Sequence, residues 1–253
     1  MGAASRTAQV ADGGILERQV DRYYLEERFL QTPLANADVL ITASAPTLAQ
    51  SALRLRANRD FEVTGTNSDE ADITQDVTGG IKMETDGADG DEIIVHPHLD
   101  TTQTAWETVQ WSTDKEVSWG CILTTGASIA NTIIWAGLKL TSTEVTATDA
   151  DQCFFRYEDD VISGNWQCIA SDADTDDAND STIAVAVSTQ YKLEFKVDGD
   201  RVPRFFINGV MRSENAALKT GITALIPYVG VAADGAAAAK NIILRREWIS
   251  KEY

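Results

Sequence analysis

Long apolar runs are missing from this sequence: no stretch approaches the ~18 residues that a membrane-spanning helix needs, so no span is expected. Residues 1–20 also lack a continuous apolar core, which predicts no secretory signal and a chain made soluble. Positive charge is scarce. With 21 Lys and Arg against 39 Asp and Glu, the formal charge is −18, and nucleic-acid phosphate would be repelled over most of the surface. Cysteine is sparse as well: Cys121, Cys153 and Cys168 show no CxxC spacing, and an odd number leaves at least one thiol unbridged. They read as buried thiols of a protein assembled in a reducing cytosol, with a cross-strand Cys153–Cys168 bridge as the alternative. Histidine is limited to His96 and His98, which flank Pro97 close to Asp100. No third ligand follows at a zinc-site spacing and no nucleophile stands nearby, so a strand-to-loop turn is the expected role.

What the sequence does hold is strand signal. In residues 191–209, YKLEFKVDGDRVPRFFING, Leu193, Phe195 and Val197 alternate with Lys192, Glu194 and Lys196, and a second apolar run follows the turn residues Asp198, Gly199 and Asp200. Two half-buried strands on a short loop, closed by a second turn at Asn208-Gly209, form a meander. Further strand candidates lie at 61–63, 81–83, 93–95, 153–157, 166–170, 183–187, 226–231 and 242–248. The spacing, without long amphipathic helices between, predicts an all-β antiparallel sandwich or jelly roll over residues 60–253.

Residues 1–59 read differently. Residues 1–14 are small and polar and form an arm. Residues 15–31, ILERQVDRYYLEERFLQ, follow a helical period that stops before Pro33, which makes the N-terminal extension partly helical. Ile15, Leu16, Tyr23, Tyr24 and Phe29 would then offer a face to the β domain or to another subunit. A short helix after Pro46 carries Arg54 and Arg56, a basic cluster that reads as a solvated face or a seat for an acidic partner.

Five carboxylates fall in nine residues, at Asp172, Asp174, Asp176, Asp177 and Asp180. Such a stretch reads as a solvated hairpin tip, with calcium binding through Asp172, Asp174, Asp176 and Asp180 as the competing role.

The series FFRYEDD, GNWQCIASD, YKLEFKVD, RFFINGV and ALIPYVGV resembles the concanavalin A-like lectin/glucanase jelly roll, in the version found in tailed-phage virion proteins. The resemblance covers roughly residues 61–253. It implies that the last strand runs beside the first strand of the domain, so that residues 61–64 and 242–246 are neighbours. It also implies a capsid decoration or cement protein on the virion surface, made in the host cytoplasm. The major capsid protein and neighbouring copies would be its partners, and a trimer its assembly. The alternative is a tail-fibre or receptor-binding module that recognises host glycans, with Trp106, Trp111 and Trp119 stacking on sugar rings. Glucanases of this class carry an E-x-D-x-x-E pattern on one strand. It is missing here, since Glu107, Glu116 and Glu144 are isolated and Glu194 sits between lysines. The reading is therefore not an enzyme, with no cofactor beyond the calcium alternative.

Overall fold

The computed structural model describes residues 22–30, 32–35, 61–68, 72–97, 111–114, 116–140, 150–216, 224–235 and 238–252. In chain order the strands are β1 (Arg22–Glu27), β2 (Leu34–Ala35), β3 (Phe61–Thr64), β4 (Ile73–Gln75), β5 (Ile81–Glu84) and β6 (Glu92–Pro97). Next come β7 (Trp111–Ser112), β8 (Ser118–Thr125), β9 (Thr132–Lys139), β10 (Gln152–Glu158), β11 (Asn165–Asp172) and β12 (Thr175–Ala184). The series closes with β13 (Gln190–Val197), β14 (Pro203–Ile207), β15 (Val210–Glu214), β16 (Ala224–Ala233) and β17 (Asn241–Glu252).

These strands form two sheets. Sheet A runs β15-β14-β13-β8-β17-β5-β4, with β1 on the far half of β17; sheet B runs β12-β11-β10-β9-β16-β6-β3-β2, with β7 on β16. The pairing is antiparallel apart from β2 on β3. The result is an antiparallel jelly-roll sandwich, as the strand spacing predicts.

Alternation decides what lies between the sheets. On β13, Tyr191, Leu193, Phe195 and Val197 are buried while Lys192, Glu194 and Lys196 are half-buried. Asn208 and Gly209 both take positive φ, 52° and 78°, the two-residue turn whose twist matches a hairpin. The Asn208 Oδ1 then accepts the Lys192 backbone N–H at 2.9 Å. An aromatic chain bridges the layers: Trp119 stacks on Phe195 at 5.5 Å, Phe195 meets Phe205 at 5.5 Å, and Phe205 meets Phe155 of sheet B at 5.1 Å.

Several expectations are corrected here. The helix over residues 15–31 gives way, in its described part, to strand β1, whose partner is β17. With Glu27 and Leu25 on one side of an extended chain and Glu26 and Tyr24 on the other, RYYLEE satisfies a sheet edge as readily as a helix face. Both β1 and β2 come from residues before 60, so the N-terminal segment contributes a strand to each sheet. Phe29 is no partner-binding residue: it is fully buried and meets Phe61 edge-on at 5.7 Å. Residues 61–64 and 242–246 lie in opposite sheets, because β3 pairs with β6 whereas that part of β17 pairs with β5 and β8. The apolar run at 183–187 leaves the sheet after Ala184. The acidic stretch is mostly strand, since β12 pairs with β11 from Asp172↔Thr175 to Asn165↔Ala184 and the hairpin tip is confined to Ala173 and Asp174. All three cysteines are buried and free. Ile15, Leu16, Arg54, Arg56, Trp106, His98 and Asp100 lie outside the described residues.

Candidate functional site

Sheet B carries ordered chemistry on the face turned away from the core. Ile134, Ala136 and Leu138 of β9, Cys153, Phe155 and Tyr157 of β10, and Trp166, Cys168 and Ala170 of β11 pack between the sheets, so the residues between them occupy the other face. Register lines these up in rows. One row reads Gly230, Trp135, Arg156, Gln167, Asp180. A second reads Ile226, Lys139, Gln152, Ser171, Asp176. A third ends Ala232, Ile133, Glu158.

The first row is tied by charge-assisted bonds. Arg156 Nε and Nη2 both donate to Gln167 Oε1, at 3.3 and 3.0 Å, and Arg156 lies 3.6 Å from Glu158. Gln167 is fully buried, and its side-chain nitrogen has no hydrogen-bond acceptor among the described residues. At the sheet edge, Asn165 donates to both oxygens of Asp180 at 3.0 and 3.2 Å. In the second row Gln152 donates to Ser171 Oγ at 3.0 Å, and that hydroxyl donates on to Asp176. Between the rows a small apolar cluster, including Ile94, Trp135, Phe154, Ile169 and Tyr228, is itself buried. His96 also lies on this face, with Nε2 3.0 Å from Thr64 Oγ1, inside β6 instead of at a turn.

The third row opens onto an acidic rim. Carboxylate oxygens of Glu158, Asp160 and Asp234 lie within 4.8 Å of one another, the one such group of three metal-ligand types among the described residues. Loop contacts fix the surroundings: Asp159 accepts the Asn131 N–H at 2.6 Å, Asn131 O accepts the Asp234 N–H at 3.0 Å, and Asp89 accepts the Gly235 N–H at 2.6 Å. Burial raises the Glu158 pKa; Arg156 opposes the rise, while Asp160, Asp234 and Asp159 add to it. Burial likewise raises that of Asp234, helped by Asp160, Asp159 and Asp89. Crowded oxygen donors of this kind suit a hard divalent cation, whose charge would relieve their repulsion.

The residues singled out in the sequence are placed otherwise. Asp172, Asp174, Asp176 and Asp180 are spread along a turn and an edge strand, while Asp177 points elsewhere and accepts the Ala216 N–H. They are not brought together. Trp111 and Trp119 are buried in the core between the sheets, where no sugar can stack on them. Trp135 is buried on the outer face of sheet B. Glu158 and Asp234 lie 76 positions apart in the numbering (234 − 158) and come near each other only because β9 stands between β10 and β16, at whose ends they lie. The one hint was the acidic triplet closing FFRYEDD.

No protein-family model matches the chain, and no curated protein sequence does. Solved structures do resemble it. A protein of unknown function from Shewanella oneidensis aligns over 98% of this chain and 97% of its own, at 11% identity and a TM-score of 0.57. A β-1,3-glucanase from Mycobacterium marinum aligns over 89% and 97%, at 9% identity and a TM-score of 0.54. The β-glucanase of Bacillus licheniformis aligns over 93% and 100%, at 7% identity and a TM-score of 0.54. The expectation that the chain is not an enzyme is corrected by this likeness. It rested on the missing E-x-D-x-x-E spacing, and the sandwich is one that β-glucanases use. At these identities the shared property is the fold: the chain has the lectin-like, glucanase-type jelly roll.

Proposed function

We propose that the chain is a tailed-phage virion protein of the capsid decoration or cement type, which binds the major capsid protein and neighbouring copies of itself on the capsid surface, as a trimer. The observation that carries this reading is the exposed apolar strip on the N-terminal segment. Tyr23, Tyr24 and Leu30 are 41, 49 and 79% exposed, and among the described residues β1 pairs on one side alone, with β17. An edge strand with aromatic residues on both faces is a surface for another chain. Burial of that strip contributes about 25 cal/mol per Å² before association costs, and repetition along a lattice multiplies weak contacts. The test uses capsids stripped of the protein and the full chain with Tyr23, Tyr24 and Leu30 changed to serine. Binding at least tenfold weaker, with an unaltered β circular dichroism spectrum, is the expected result; equal binding overturns the assignment. Substitution is preferable to removing residues 1–59, because that deletion takes β1 and β2 out of the sheets.

The acidic rim favours a second reading, a module that recognises host surface glycans with a bound cation. Glu158, Asp160 and Asp234 lie beside the Arg156–Gln167 pair, a combination that can hold sugar hydroxyls and calcium together. Glycan-array binding that needs calcium and disappears in Glu158→Gln is its expected signature. Flat binding to every glycan, with and without chelator, sinks it.

A further inference from the structure

Strands β1 and β17 set two acids face to face, a half-buried Glu27 and a buried Glu247. Leu25 and Glu27 of β1 face Ile249 and Glu247 across the ladder, and Leu25 packs on the core. Glu247 is 1% exposed, and its Oε1 accepts the Trp119 indole N–H at 2.8 Å. Its Oε2 has no donor among the described residues. Glu27 Oε1 accepts the Phe29 backbone N–H at 2.5 Å.

Among the described residues, none of the groups that meet Glu247 is a cation. From β8 it meets Trp119 and, in direct register, the buried thiol of Cys121. From β1 it meets Glu27. The nearby cations are engaged elsewhere: Arg246 turns to the opposite face, 3.0 Å from Glu26 and 4.9 Å from the Trp248 ring. Arg22 donates to the Glu116 carbonyl and lies 3.8 Å from Glu252. Two facing acids in such a place are tolerated while one keeps its proton. Burial pushes the Glu247 carboxyl up to about 8; the Trp119 bond opposes this and the Glu27 charge adds to it.

We propose that β1 is a releasable strand: it stays docked on β17 while Glu247 is protonated, and lifts away when Glu247 gives its proton to solvent while facing Glu27. The geometry sets the limits of the motion. Among the described residues β1 has no ladder but the one to β17, whereas two positions later Phe29 is locked in the core against Phe61. Phe29 also takes a left-handed φ of 49°, a bend that ends the strand. Release therefore frees residues 22–27 and leaves β5 and β8 still paired to β17. The open edge of β17 and the tyrosines of β1 then both become available to a neighbouring chain.

Amide hydrogen exchange on the full-length protein between pH 6 and pH 9.5, corrected for intrinsic rates, tests this. Protection of residues 22–27 and 247–252 should fall at least tenfold as pH passes about 8, while β10 and β13 amides hold. In Glu247→Gln, whose amide oxygen still accepts from Trp119, the fall should vanish. In Glu27→Gln, which removes the facing charge, it should shrink. The same pH profile in wild type and Glu247→Gln overturns the proposal, as does simultaneous loss of protection in both sheets.

Discussion

Phe195→Ala is expected to cost about 3–5 kcal/mol of folding stability. Phe195 is fully buried and occupies the middle of the aromatic chain that starts at Trp119 and crosses through Phe205 to Phe155 in the opposite sheet. Truncation removes two ring contacts at once and leaves a cavity between layers, which strands on both sides can close only by breaking register. Urea unfolding followed by tryptophan fluorescence will measure it, with the midpoint lowered and the slope unchanged. A loss below about 1 kcal/mol would mean that the cavity collapses and that this ring does not join the sheets.

Glu247→Gln is expected to remove a pH dependence, so that the variant gains on wild type as pH rises from 5 to 9. Burial pushes the folded carboxyl up to about 8, above its ordinary value of 4.5. A folded pKa above the unfolded one means the native state binds the proton more tightly. The contribution is fully present below pH 4.5, falls as pH rises, and levels off above about 8. The slope in that window approaches roughly 1.4 kcal/mol per pH unit. The glutamine variant lacks this slope and should be more stable than wild type at pH 9. At pH 5 it should be equal or weaker, because its NH2 group takes the place of an oxygen that has no partner among the described residues. If β1 lifts at a smaller cost than ionising Glu247 in place, the wild-type curve flattens before pH 8. Parallel curves for the two proteins would show that the carboxyl does not govern stability.

The strands whose inward face was legible in the sequence were those with one wet and one dry side. In β13 the alternation of Leu193, Phe195 and Val197 with Lys192, Glu194 and Lys196 gave type, length and inward face together. In β12 the pattern misled because its aspartates are charged on both sides, and an edge strand with little burial leaves no apolar trace. Tyr23 and Phe29 read as members of one helix face, whereas a strand exposes the first and a bend beyond it buries the second. The tryptophans could be counted but not oriented: only the sheet register tells that Trp119 looks inward and Trp135 outward. The acidic rim was illegible for a related reason. Glu158 and Asp160 are near in sequence, but Asp234 joins them only through the strand order β10-β9-β16, which no local spacing encodes.

The position of β17 has a consequence for how the protein is made. This last strand receives β8 along one edge and β5 then β1 along the other. Until it emerges from the ribosome, sheet A exists as three pieces with no shared neighbour, and β8 presents an open edge. Sheet B needs nothing beyond β16. Sandwich closure thus waits for residues 241–252, and β1, the first of the described strands to be made, is among the last of them to find its place. A chain arrested before residue 241 would keep β8 bare, in the state most prone to pair with a stranger.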